Sequence, residues 1–457
     1  MRREAAATFR DPAGHVEFHE TTVLRHVRAE YATATRAFLQ APFVERWLRD
    51  GRMAPTKVLA EGEELVLEHP RLFFASYPWE WCPAQWRAAA ELTLGLCSEA
   101  IANRYILKDA TPLNILFDGA RPVFVDVLSF EKRDPESALW LAQAQFVRTF
   151  LLPLLAHRHL GWPLAASQLQ RDGYEPRQLH AAMSKFQRVR PRLFWSVTLP
   201  TWLEPSAEAP IAKGTPQLRR QPALATEILQ HDLAKLKKQV RHAAPVLPAS
   251  RWSGYTTTAK HYSAADHAAK QEFVSRVLAE ARPETVLDVG ANTGTYSMLA
   301  AKAGARVVAL DTDPSAVEML WQRAYDEARD ILPLVADIAR PTPAVGWENA
   351  ESFPLLERME GKFDMVLLLA VLHHLLLMDQ VPLERIAALV ARITRKYALV
   401  EWVPQDDPMF QFLLRGRDEI YQHLQFDAML AAFAPLFHVT ARCDLANGRS
   451  LILFEKI

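Results

Sequence analysis

Asp288, Asp311 and Asp337 each lie at or just beyond the end of an apolar run, and Gly290 and Gly294 follow the first of them. The stretch Val286-Leu287-Asp288-Val289-Gly290-Ala291-Asn292-Thr293-Gly294-Thr295-Tyr296-Ser297 runs from apolar residues through a two-glycine loop to a segment able to start a helix. That order predicts strand, tight turn and helix N-terminus, where the backbone can approach a ligand closely. Arg306 to Asp311 reads as a second strand, ending in an acid 23 residues after Asp288. Leu334 to Ile338 reads as a third, ending at Asp337, and Phe363 to Ala370 as a fourth, running into Val371-Leu372-His373-His374. Histidine titrates near neutrality and can serve as a general base, so His373 and His374 are base candidates. Adjacent side chains diverge, so one of the two is expected to face a ligand, and a purely structural pair stays open. Glu401 and Trp402 end a fifth apolar run and border the same expected pocket.

A glycine-rich turn is shared with dinucleotide-binding enzymes, but Gly-Ala-Asn-Thr-Gly lacks the third glycine of G-x-G-x-x-G. With the acids closing the second and third strands, the C-terminal half resembles the class I S-adenosylmethionine (SAM)-dependent methyltransferases. The stretch Glu401-Trp402-Val403-Pro404 with Asp407-Pro408-Met409, Arg415 and Arg417-Asp418 resembles a bacterial subgroup with nodulation-protein-like members. The resemblance implies that Gly290 and Gly294 admit the methionine part of SAM and that Asp288 holds the loop or meets its amino group. It further implies that Asp311 takes the ribose hydroxyls, that Asp337 with the Ile338 backbone reads the adenine edge, and that Asn292 and Tyr296 line the pocket. Asp313 suits the cap of the helix starting near Pro314 better than Asp311 does.

The N-terminal half carries a second constellation. Leu107-Lys108-Asp109-Ala110-Thr111-Pro112-Leu113-Asn114 is followed by Val123-Phe124-Val125-Asp126. D-x4-N with a later Asp closing a hydrophobic strand resembles the catalytic loop of protein-kinase-like phosphotransferases. That resemblance implies Asp109 as base and Asn114 and Asp126 as magnesium ligands beside ATP. The pattern departs where Asp126-Val127-Leu128 stands for Asp-Phe-Gly, and no glycine-rich phosphate loop precedes residue 90. Lys57 is a candidate strand lysine. The reading is an atypical kinase-like domain for substrate recognition, with an active phosphotransferase and an unrelated hairpin as alternatives.

These groups need elements to hold them. Strand and helix alternate from about residue 252 onward, which implies a parallel sheet with helices on both faces, closed by a hairpin through Asn447-Gly448. Prolines at 205, 210, 216 and 222 interrupt any period between the halves. Beyond them Leu224, Ile228, Leu233, Leu236 and Val240 read as one face of a helix, and seven Lys/Arg stand against two acids between Lys213 and Arg241. The expected organisation is a kinase-like α+β domain over 1–205, a linker with a basic helix over 206–250, and a Rossmann-like α/β methyltransferase domain over 251–457. Trp252, Tyr255, Lys260 and Tyr262 could form a lid over the SAM pocket or pack between domains.

Lys+Arg equals Asp+Glu at 53 each among 457 residues, which gives no global signal for nucleic acid. Three scattered cysteines form no metal-ligand spacing and fit a reducing cytoplasm. No run is long and apolar enough to span a bilayer, and no signal peptide is expected. The expected function is methyl transfer from SAM to an oxygen or nitrogen of an unidentified acceptor. A bifunctional kinase-methyltransferase using ATP and magnesium, and a non-catalytic SAM-binding sensor or scaffold, are the alternatives. Acceptor and oligomeric state are not readable from one sequence.

Overall fold

Strands that are apolar along most of their length need cover on both faces, and the C-terminal half is built that way. Every residue of β9 (Thr285–Val289) and β12 (Phe363–Leu368) is buried. The computed structural model describes residues 10–61, 65–203, 220–244, 263–414, 421 and 423–457. With β10 (Arg306–Asp311), β11 (Ile331–Val335), β13 (Thr394–Trp402), β14 (Phe437–Asp444) and β15 (Ser450–Lys456) they form a seven-stranded sheet ordered β11-β10-β9-β12-β13-β15-β14. β9 to β13 run parallel, while β15 is antiparallel to both neighbours. This is a Rossmann-like sheet, as expected from the sequence. The chain winds outward from β9 through β10 to β11, then returns to β12 on the other side. Its switch point lies at the carboxyl ends of β9 and β12, where such sheets bind ligands.

The five parallel strands and the closing hairpin expected from the sequence are present, but the third, read as Leu334 to Ile338, is Ile331–Val335 and leaves Asp337 two residues beyond its end. Asp313 caps the helix Pro314–Asp326 by accepting the Ser315 N–H at 2.9 Å.

The chain divides into two compact units. One comprises Met1–Phe117, Pro122–Val246 and Val345–Ser352, the other Asp118–Arg121, Leu247–Ala344 and Phe353–Ile457. In the first, β1 (Gly14–Phe18), β2 (Thr22–Val27), β3 (Lys57–Glu61) and β4 (Leu65–Pro70) make an antiparallel sheet ordered β1-β2-β4-β3. Two helices, Ala29–Leu39 and Pro42–Arg49, separate β2 from β3. Phe38, Trp47 and Phe130 meet ring to ring in its core. Three short strands, β5 (Tyr105–Leu107), β6 (Ile115–Asp118) and β7 (Arg121–Phe124), follow the helix Pro83–Ala102, and β5 pairs with β8 (Phe130–Lys132).

The helix Pro222–Ala243 packs on Pro83–Ala102 within this first unit. Gln230 donates to the Ser98 carbonyl at 2.8 Å and accepts from its hydroxyl at 2.5 Å. Its buried stripe is Ala225, Leu229, Leu233, Leu236 and Val240, not the stripe starting at Leu224 and Ile228. Leu224 is exposed. The i, i+4 repeat from Ala225 meets the partner helix closely because its first residue is small. The proline-rich segment 204–219, the lid candidates Trp252, Tyr255, Lys260 and Tyr262, and Arg415 with Arg417-Asp418 lie outside the described residues.

Candidate active site

The loop after β9 is shaped by three left-handed residues, Gly290 at φ 70°, Asn292 at φ 51° and Gly294 at φ 80°. A Cβ on Gly290 would sit 2.2 Å from Val371 Cγ2, and one on Gly294 2.1 Å from Leu320 Cδ1. Glycine is therefore required at both by conformation and by space. The turn is held from β10: one Asp311 oxygen accepts the Asn292 N–H at 2.7 Å, and the other accepts the Asp313 N–H at 2.9 Å. Asp288 is 2 % exposed and accepts the Ser297 hydroxyl at 2.6 Å, locking the loop to the start of the helix Thr295–Lys302.

Neither Asp288 nor Asp311 makes an ion pair among the described residues. Burial pushes the Asp288 carboxyl up to about 7, and the charge of Asp311 adds to the rise. Burial raises Asp311 as well. The charge of Lys270 lowers Asp288 and offsets only part of that rise, and two desolvated carboxylates with no ion pair among the described residues suit a positively charged ligand. Further along, Asp337 is half-buried just beyond the end of β11, accepts the Ala339 N–H at 2.8 Å and pairs with exposed Arg340 at 2.9 Å. Ile338 follows it, half-buried.

The histidines start the short helix Leu372–Leu377 beyond β12. Their rings stand 4.4 Å apart. His373 is 2 % exposed, and neither of its ring nitrogens has a hydrogen-bond partner among the described residues. His374 is half-buried, with Nδ1 3.3 Å from Met378 Sδ. Burial lowers both: His373 falls well below the ordinary histidine range, with His374 and Arg449 adding to the effect, and His374 falls to about 4, with Arg449 adding. Both are neutral at physiological pH.

Glu401 is fully buried at the end of β13 and held by two cations, Lys270 Nζ at 2.5 Å and Arg449 at 3.3 Å. Arg449 continues to Asp407 at 2.8 Å. Lys270 also lies over the Tyr296 ring, 4.9 Å from its centroid, and burial raises the Tyr296 phenol. A carboxylate shared by two buried cations holds their geometry and is poorly disposed to take a proton.

Lys270 and Arg449 are the residues that sequence reasoning missed. A signal for Lys270 exists: Asp266, Lys270, Phe273, Val274 and Val277 fall on the buried stripe of the helix Ala264–Ala281. A lysine four residues after an acid on an apolar face implies a buried partner. For Arg449, beside Asn447-Gly448, the sequence carries no comparable sign, because its partners come from elsewhere in the chain.

In the N-terminal unit Asp109, Asn114 and Asp126 converge. Asn114 Nδ2 lies 3.3 Å from Asp109 Oδ2 and 3.0 Å from Ser129 Oγ, and the Ser129 hydroxyl donates to Asp126 at 2.5 Å. The other Asp126 oxygen is paired with Arg25 at 2.8 Å. Asp109 accepts from Gln145 at 2.5 Å, and burial raises its carboxyl. It lines a cavity of about 310 Å³ with Thr111, Gln145, Arg148 and Arg171. Asp126 is thus already paired with a guanidinium, a positive charge that opposes a magnesium ion at the same carboxylate. Lys57 is exposed, on the outermost strand of its sheet, and so does not occupy an interior lysine position.

Comparison with known proteins completes these observations. The family described as "Methyltransferase domain" matches residues 287–398. Nodulation protein NoeA of Rhizobium meliloti (strain 1021) is 30% identical over 467 residues, covering 99% of this chain and 96% of that protein. A ribosomal protein L11 methyltransferase of Thermotoga maritima is 37% identical over 110 residues, 23% of this chain and 34% of that protein. Among solved structures, the N-methyltransferase NodS of Bradyrhizobium japonicum WM9 aligns with a TM-score of 0.30 and 14% identity, covering 42% of this chain and 98% of that one.

Proposed function

The chain belongs to the family of nodulation protein NoeA and is a SAM-dependent methyltransferase, and from that premise we propose that it methylates an oxygen or nitrogen of an acceptor bound beside His373. SAM supplies a methyl group already activated on a sulfonium. The loop Gly290–Gly294 receives the methionine part, Asp288 faces its ammonium, Asp311 accepts from the ribose hydroxyls and Asp337 from the adenine amino group. The observation that carries this reading is the pair of carboxylates Asp288 and Asp311 at the switch point, both raised by burial and neither in an ion pair among the described residues. The ligand's ammonium gives Asp288 a countercharge, and its ribose hydroxyls give Asp311 hydrogen-bond donors.

Methyl transfer is a displacement in which the enzyme contributes orientation and exclusion of water. His373, buried, neutral and without a hydrogen-bond partner among the described residues, accepts the proton or hydrogen bond of the acceptor's nucleophile. Glu401 is a positioning residue: with Lys270, Arg449 and Asp407 it fixes the ends of β13 and the helix Ala264–Ala281, and Lys270 steadies Tyr296. The N-terminal unit selects the acceptor and does not transfer phosphate, a reading supported by Arg25 standing on Asp126.

Calorimetric titration of the full-length protein with SAM, then with ATP and magnesium, tests both halves. SAM binding without ATP binding is expected. No SAM binding by folded protein would sink the site assignment. ATP binding that requires magnesium and disappears in Asp126→Ala would replace the recognition reading with a two-activity enzyme. That second reading draws its support from the convergence of Asp109, Asn114 and Asp126. Incorporation of label from methyl-labelled SAM into extract fractions then separates an enzyme from a sensor that binds SAM without turnover.

A further inference from the structure

Residues 176–203 carry Arg177, Lys185, Arg188, Arg190 and Arg192 and no Asp or Glu. They fold as a run of short helices, among them Pro176–Ala182, Lys185–Arg188 and Leu199–Leu203. Large apolar side chains on this run face solvent: Phe186 is 84% exposed, Val189 67%, Trp195 60%, Trp202 64% and Leu203 71%. The two indoles belong to one cluster, because both pack against the Phe194 ring at 5.6 and 5.7 Å. The Thr198 hydroxyl donates to the Arg188 carbonyl at 2.8 Å, tying the arginine-rich turn to the tryptophan-bearing one.

More positive charge adjoins. Gln239 of the helix Pro222–Ala243 donates to Ser196 Oγ at 3.4 Å. On that helix the exposed Lys235 shares the face of Gln239, with Asp232 as its acid, and the exposed Lys238 is one turn from Lys235. The local field is visible in two histidines. His159 lies below the usual range through burial and then Arg158, Arg190 and Arg192, and His180 through burial and then Arg188.

Single exposed apolar residues are ordinary, but several together mark an interaction surface. Tryptophan and aliphatic side chains among Lys and Arg that outnumber the acids match the interface of an anionic lipid layer. There the rings enter the headgroup region and the cations meet phosphate. Val189 and Leu203 partition among acyl chains but have no base to stack on, which favours lipid over single-stranded nucleic acid. Among the described residues no helix is long and apolar enough to cross a membrane, so the contact is peripheral. We propose that residues 176–203, with the lysine face of Pro222–Ala243, form a docking surface for an anionic membrane.

The test is sedimentation of the full-length protein with vesicles of phosphatidylcholine alone and of phosphatidylcholine with phosphatidylglycerol. Binding to the anionic vesicles, weakened by salt, is expected. Arg188→Gln/Arg190→Gln/Arg192→Gln should weaken it roughly a hundredfold, at about 1 kcal/mol per arginine. Trp195→Ser/Trp202→Ser should weaken it at least about tenfold through lost apolar burial. SAM titration and the unfolding midpoint of each variant, both expected unchanged, report on the fold. Absence of binding to anionic vesicles overturns the proposal, as does binding that neither variant weakens. Wild-type self-association, or binding to a single-stranded oligonucleotide, that is lost in the variants while vesicles stay unbound would likewise overturn it and assign the patch to another partner.

Discussion

Two buried acidic clusters in this chain are satisfied in opposite ways. In the N-terminal unit Asp126 has a guanidinium on one oxygen and a hydroxyl on the other, and Asp109 is held by amides. In the C-terminal unit Asp288 and Asp311 are as deeply placed, yet they receive only a hydroxyl and backbone N–H groups. The first cluster has a cation in direct contact, whereas the second feels the charge of Lys270 but makes no ion pair among the described residues. Carboxylate spacing alone looks like a binding site in both halves, and the supply of countercharge separates them.

The largest expected effect sharpens the comparison by removing countercharge where it is most buried. Arg449→Met leaves Glu401 and Asp407 short of a partner and should cost about 3–5 kcal/mol in denaturant unfolding. Arg25→Met, in a wetter cluster, should cost clearly less, and equal losses would erase the distinction. Next comes the acceptor side. His373→Gln should lower label transfer by about a hundredfold, the low end for a general base, because burial keeps this imidazole weakly basic. His374→Gln should do much less; the reverse order would exchange their roles.

Asp311→Ala should weaken SAM by about 1–3 kcal/mol through lost charge-assisted bonds. Unchanged affinity in a folded variant would remove the ribose assignment. The subtlest effect is in pH. Asp288 titrates at about 7 in the free protein, and a cationic ligand favours its ionised form. SAM affinity should therefore fall as pH drops below about 7, and Asp288→Asn should flatten that slope. Without ligand the sign reverses for stability. The folded carboxyl binds its proton more tightly than the unfolded one, at about 7 against 3.8. Ligand-free stability should therefore decline as pH rises through that window, and a rise would contradict the assigned burial of Asp288.

Much of the C-terminal half was legible because its strands are continuous apolar runs ending in acids or glycines, a pattern that survives without knowledge of neighbours. Asp313 as a cap followed from Pro314 beside it. The helix Pro222–Ala243 was legible as a helix with Leu233, Leu236 and Val240 on its buried face, but its first two buried positions are Ala225 and Leu229 rather than Leu224 and Ile228. Leu224 and Ala225 are both apolar, and only the close approach of Pro83–Ala102 selects the smaller.

Local sequence therefore determined the strands, the loop that two glycines allow, and the three acids that close the strands, since each depends on residues adjacent in the chain. Tertiary structure decided which acids are answered. Arg25 reaches Asp126 across 101 positions, and Lys270 and Arg449 reach Glu401 from opposite ends of the domain. Charge pairing in a low-dielectric interior depends on distance in space, which no spacing along the chain encodes.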